Sequence, residues 1–183
     1  MSLKKNLLAL FIIFLGLSLV AGCGYTTRSA IKIPWTTIYV TQFKNSIDYT
    51  NEFNEARNIK TYFPLIETKI TSEVVNRFMF DGNLKVVRED NAEITLKGEL
   101  IDYLRDVLRY DDNNNPLEYR ISLVVKLSLW DNKENKLLWE ESRFAGDTTY
   151  VASGTSAKSE AAAINDAVVD LARRIVERIV EAW

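Results

Sequence analysis

Polar and apolar positions along this chain repeat in two periods, and each change of period marks an element. Thr37 to Phe43 alternates, with β-branched and aromatic residues, and predicts a strand. Ile66, Ile70, Val74 and Phe78 then recur every four residues, which gathers them on one side of a helix. Pro64 suits the first turn of that helix, where its missing N–H would have no partner. Asp81-Gly82-Asn83 closes it, because glycine takes the left-handed conformation of a helix end without steric cost. Leu84 to Val87 predicts a short strand, and Ala92 to Tyr110 a long one. Along the long strand Ile94, Leu96, Leu100, Leu104, Leu108 and Tyr110 share one parity, while Tyr103, Arg105, Val107 and Arg109 take the other. Asp111 to Pro116 is a turn by composition. Tyr119, Ile121, Leu123, Val125, Leu127 and Leu129 then alternate with Arg120, Ser122, Lys126 and Ser128, one face apolar and the other mostly wet. After a second turn at 131–135, Lys136 to Ala145 completes an antiparallel run of three strands, and Gly146 to Ser156 reads as a loop. Lys158 to Trp183 is a helix whose stripe is Ala161, Ile164, Val168, Leu171, Ile175 and Ile179.

Each of these elements must bury one face against another. The expected fold is therefore α+β, a two-layer sandwich with a four- to five-stranded mixed, largely antiparallel sheet and two helices packed on one face. Covering one face leaves the other face, or the sheet edges, open to a partner. Residues 44–63 are polar with scattered aromatics (Tyr49, Phe53, Tyr62, Phe63) and long for a connection, either a surface loop pinned by its aromatics or a binding loop.

The N-terminus follows neither period. Lys4 and Lys5 precede an apolar run from Leu7 to Val20 of about 14 residues, too short for the ~20 that cross a bilayer as a helix. Ala21 and Gly22 are the small residues before a signal peptidase cut, and Cys23 directly after them fits a lipobox, whose cysteine receives a diacylglyceride. An uncleaved anchor and an ordinary secretory signal are the alternatives. The expected division is a lipoprotein signal peptide over 1–22, a lipidated tether over 23–36, and a single α+β domain over 37–183. Gly24, in place of an Asp, favours sorting to the outer membrane, on its periplasmic face.

Composition narrows the chemistry. Of 23 basic and 25 acidic residues the signal holds two lysines and no acid, so the mature chain is 21 against 25, about −4. A net-acidic domain is not a generic nucleic-acid binder. Cys23 is the only cysteine, which leaves no disulfide, and the absence of histidine removes the commonest general base and metal ligand together. No glycine-rich phosphate loop or nucleophile elbow is present, and Glu140 and Glu141 fall on opposite faces of a strand. Asp111, Asn113 and Asn115 share the first spacings of a calcium loop, but Pro116 and Ser122 stand where glycine and glutamate are required. The sequence predicts a non-enzymatic module without cofactor or metal. With strands running up, down and up, the 111–117 turn and the 146–157 loop share one end, where Arg105, Arg109, Arg120 and Lys158 would gather. That cluster is a candidate site for an anionic ligand; its alternative is a set of solvated charges offset by Asp106, Asp111 and Asp112.

The order of several short segments resembles the LptE family of lipopolysaccharide-assembly lipoproteins. They are Cys23-Gly24-Tyr25, Ile38-Tyr39-Val40 with Phe43-Lys44-Asn45, the helix end at Asp81-Gly82, Leu84-Lys85-Val86-Val87, Ala92 with Leu96-Lys97-Gly98, Glu118-Tyr119-Arg120, Leu138-Trp139-Glu140 and the alanine-rich last helix. The resemblance implies a lipoprotein that sits in the lumen of the outer-membrane β-barrel LptD, plugs it, helps it fold, and assists delivery of lipopolysaccharide to the outer leaflet. It also implies lipopolysaccharide contact through basic residues near the long hairpin's turn and ahead of the last helix, places taken here by Arg109 and Lys158. A second reading is a self-associating periplasmic lipoprotein, secretion-type or structural, whose sheet edge pairs with identical subunits.

Overall fold

The structure is a computed structural model and describes residues 34–47 and 63–181. The expected signal, Cys23, most of the tether and the aromatics Tyr49, Phe53 and Tyr62 lie outside the described residues. In chain order the elements are β1 (Thr37–Val40), β2 (Lys44–Asn45), α1 (Ile66–Asp81), β3 (Lys85–Val86), a 3₁₀ turn (Glu89–Asn91), β4 (Ile94–Tyr110), β5 (Pro116–Asp131), β6 (Lys136–Val151) and α2 (Glu160–Val180). They form one six-stranded sheet in the order β3-β1-β4-β5-β6, with β2 pairing a further stretch of β4. β1 runs parallel to both neighbours, and β4, β5 and β6 are antiparallel. The fold is thus α+β and mixed, as expected.

Both helices lie on one face. Ile66, Ile70, Val74 and Phe78 of α1 and Ile164, Val168, Leu171, Ile175 and Ile179 of α2 are buried with Ile121, Leu123, Val125, Leu127 and Leu129 of β5 in one apolar core. Gly82 ends α1 at φ 74°, its N–H donating to Phe78 O at 3.0 Å. Pro64 does not enter the first helical turn; Leu65 is left-handed at φ 62° and the helix begins after it. At the far end from the long hairpin's turn, Glu93 gathers the start of β1, accepting Thr36 N–H at 2.5 Å and Thr37 N–H at 3.2 Å, while Trp35 Nε1 donates to Asp131 Oδ2 at 3.1 Å.

Three boundaries differ from the sequence reading, each for a local reason. The first strand breaks after Val40, because Phe43 turns inward over Gly98, where a Cβ would stand 2.2–2.5 Å from its ring. The long strand changes parity at a bulge between Leu100 and Asp102, an extra residue that moves the side chains from Asp102 to Val107 to the other face, and the register shifts again on either side of Arg109. Tyr103 is therefore buried, the reverse of an unbroken alternation, while Leu108 and Tyr110, close to the hairpin's turn, are exposed. β6 runs on to Val151 instead of ending at Ala145. Gly146, which suggested a loop, is a strand residue directly under α2, where a Cβ would lie 2.4 Å from Leu171 Cα.

That close approach seats α2 along β6. Asp170 Oδ2 accepts Asp147 N–H at 3.0 Å, Arg174 Nη1 reaches Asp147 Oδ2 at 3.4 Å and Ala145 O at 3.4 Å, and Arg178 Nε meets Glu141 Oε1 at 2.5 Å over Trp139. Glu140 instead pairs with Lys126 on the uncovered face at 3.3 Å. Partial burial would raise the Asp170 carboxyl; the Asp147 N–H, Arg173 and Arg174 overcome it and hold the group below the ordinary range.

Gly146→Ala must displace helix backbone, not the tip of a flexible side chain, and should lose about 1–3 kcal/mol of stability, as overpacked cores do. Urea unfolding monitored by circular dichroism reads the loss as a lower midpoint at unchanged slope. A depressed folded-state pKa gives a contribution that is complete above the ordinary Asp range and disappears as the pH falls through the folded value. The stability of the wild type should therefore decline below about pH 4, and Asp170→Asn should make that acid limb shallower.

Candidate functional site

Beyond Arg105 the β4–β5 hairpin outruns the helices, and Asp106, Leu108, Arg109 and Tyr110 are all exposed. Its turn is held by Asp111, whose carboxylate accepts the N–H groups of Asn115 at 2.7 Å and Asn113 at 2.9 Å and the Asn115 amide at 3.1 Å. Those bonds, the Asn115 N–H foremost, keep the Asp111 carboxyl below its ordinary range. Asn114 supplies the left-handed residue at φ 62°, a conformation that asparagine tolerates better than most residues. Both Asp111 oxygens, the first of the calcium-like spacing, are thus committed within the turn itself.

The end of β6 returns beside this turn: Ala152 N–H donates to Leu117 O at 2.9 Å and Lys158 N–H to Val151 O at 2.9 Å. Hairpin and α2 therefore meet at one end of the sheet, as the strand directions required. Ser159 caps α2 there, accepting Ala162 N–H at 3.2 Å.

The four cations share that end but not one surface. Arg105 opposes Ile121 in the ladder and lies on the helix side, where its Nη1 meets Glu160 Oε2 at 2.6 Å and its guanidinium stacks 4.6 Å over the Tyr119 ring. Tyr103 donates its hydroxyl to the other Glu160 oxygen at 2.8 Å. Burial, reinforced by Glu160, pushes the Tyr103 hydroxyl well above its usual range, so it stays a donor. Burial alone would lower the Arg105 guanidinium, and Glu160 more than offsets it. Arg120 opposes Asp106 and projects from the uncovered face; it is exposed and makes no ion pair among the described residues. Arg109 pairs loosely with Glu118 at 3.3 Å, its side chain 58% exposed, and Lys158 pairs with Asp166 on α2. Arg105 is thus committed inside the fold, while Arg109, Arg120 and Lys158 stand at the surface.

Glu160, and Tyr150 stacked on Tyr119 at 5.5 Å, carry no sequence signal of a site, and Tyr103 shows there only as a strand position, although all three shape this end. Only the parity change near Ile101 brings Tyr103 and Arg105 to the helix side, and no turn residue announces that bulge. The end offers exposed cations beside exposed apolar side chains, which suits an amphiphile carrying anionic groups. Among the described residues no cluster of acids could hold a metal ion.

A family model described as LptE, lipopolysaccharide-assembly, matches residues 35–179 of the chain. None of the curated proteins compared matches it. Among solved structures, protein XCC0632 from Xanthomonas campestris superimposes with a TM-score of 0.54 at 12% identity, over 81% of this chain and 85% of that one. An uncharacterized lipoprotein B from Nitrosomonas europaea gives 0.53 at 14% identity, over 87% and 92%. A PelC dodecamer variant from Paraburkholderia phytofirmans gives 0.48 at 16% identity, over 80% and 89%. Likenesses at such identities concern the fold alone.

Glu160→Ala leaves Tyr103 and Arg105 without their shared acceptor and should cost about 1–3 kcal/mol, the penalty for buried donors left unmade. A fall in the thermal midpoint, with near-ultraviolet circular dichroism reporting loosened tyrosines, checks it. Arg120→Ala, at an exposed position without an ion pair, should leave the unfolding free energy within about 0.5 kcal/mol of wild type.

Proposed function

We propose that this chain, which belongs to the lipopolysaccharide-assembly family LptE, is a lipid-anchored outer-membrane protein that plugs the LptD barrel, helps it assemble, and assists lipopolysaccharide delivery. The observation that carries the reading is the family match across residues 35–179, nearly the whole described domain. Three features support it. The helices cover one face of the sheet and leave the other open to a surrounding wall. The long hairpin carries exposed Leu108 (42%) and Tyr110 (53%) next to Arg109, an arrangement suited to a lipid with phosphate groups. The lipobox ending at Cys23 supplies the anchor. The chain has no histidine, and the role proposed is a binding one, without catalysis or cofactor.

Within this reading the lipopolysaccharide contact falls to Arg109 and Arg120 on the hairpin and Lys158 ahead of α2. Arg105 positions the end of the hairpin on α2 through Glu160.

Detergent extraction of the C-terminally tagged protein from its native outer membrane should recover a large β-barrel near one-to-one. Recovery without any barrel sinks the plug reading. Arg109→Glu combined with Lys158→Glu should weaken lipopolysaccharide binding by about tenfold or more while the barrel is still recovered, each lost charge contact being worth about 1.5–3 kcal/mol. Unchanged lipopolysaccharide affinity in that variant would remove the lipid contact and leave the barrel contact standing.

A further inference from the structure

β6 is the long edge of the sheet, and an edge strand presents a row of N–H and C=O groups on which another strand can assemble. In an antiparallel ladder alternate residues turn both groups outward. At the middle of β6 the outward groups are already occupied from within the chain: Asp147 N–H by Asp170 Oδ2 at 3.0 Å and Ala145 O by Arg174 Nη1 at 3.4 Å. The two side chains also hold each other, Arg174 Nε lying 2.7 Å from Asp170 Oδ2. Both belong to α2 one turn apart, and α2 comes near enough only because residue 146 is glycine.

We propose that Asp170 and Arg174 form a clasp that closes the β6 edge against strand addition, and that the partner it excludes is β6 of a second copy of this chain. The sequence of β6 is suited to such pairing. An antiparallel copy centred on Ala145, the smallest side chain in the outer half of the strand after Gly146, would set Arg143 of each copy against Asp147 of the other. Arg143 is 62% exposed and holds Asp102 only at 3.6 Å, so it is available. In the closed state Arg174 is the cation beside Asp147, at 3.4 Å. Removing Arg174 takes that cation away, and Arg143 of the second copy would replace it. Thr149 shares the outward parity of Ala145 and Asp147, which gives the edge a further outward position beyond the clasp.

The inference is independent of the proposed barrel partnership. Its test is the mass of the full chain purified in detergent micelles, measured by light scattering with the detergent contribution subtracted. Wild type should carry one copy per micelle, and Asp170→Ala with Arg174→Gln should carry two, doubling the protein mass. Adding Thr149→Pro, which deletes an outward N–H without touching the ladder to β5, should return the double variant to one copy. The proposal is overturned if the double variant, folded by circular dichroism, keeps one copy, or if its dimer ignores the added proline, since association then uses another surface. If the double variant does not fold, Arg174→Gln alone decides. It leaves Asp170 on the Asp147 N–H and should show a mixture of one and two copies; a wholly single-copy population overturns the proposal.

Discussion

Much of this structure depends on backbone meeting backbone where α2 crosses β6 at Gly146. Helices usually stand off a sheet by the length of their side chains; here the missing Cβ lets Leu171 Cα approach the strand itself. The buried face of α2 is accordingly built from small and branched residues, with Ala163, Ala167 and Ala172 interspersed among Ile164, Val168 and Ile175. Long side chains on its flank then reach past the sheet edge to the outward groups of β6. Packing at one glycine thereby decides both the depth of the core and the chemistry of the edge.

The same seating fixes where the outer hairpin can stand. Glu160 lies in the first turn of α2, and its two oxygens hold Tyr103 and Arg105 of β4. Exposed ion pairs contribute little, but this one is half-buried, flanked by Tyr119, and shares its carboxylate with a tyrosine hydroxyl. Past it the hairpin has no helix beneath it, and its cations and apolar residues face outward on both sides. Arg105, grouped with the other cations by sequence position, belongs to the scaffold, while Arg109, Arg120 and Lys158 stand farther out at the surface.

Helices were easiest to read from sequence, because Ile66, Ile70, Val74 and Phe78 state their shared face directly and Gly82 marks the end. The middle of β5 was equally plain, its six alternating apolar residues all facing the core. Features set by partners distant in sequence were not legible. The bulge after Leu100 has no local signature, so Tyr103 and Arg105 were assigned to the wrong side. Gly146 and Thr148 looked like loop residues, since only the helix laid across them gives the glycine its purpose. The cationic end was placed correctly by counting strand directions, but a count cannot tell which side of a sheet a side chain takes after a bulge.

The insertion of β1 between β3 and β4 bears on the route by which the chain assembles. β4, β5, β6 and α2 follow one another in sequence and in space, so their contacts close short loops. β1 joins only through long ones: Thr41 and Leu96, which share a hydrogen bond, are 55 residues apart. Closing long loops is entropically costly and slows folding. The C-terminal half is therefore the natural nucleus, and the N-terminal strand is the last to dock. Pulsed hydrogen exchange would show this as amides of β4 to β6 gaining protection before those of β1. A newly exported chain would thus present its hairpin in finished form while its N-terminal strand was still being drawn in.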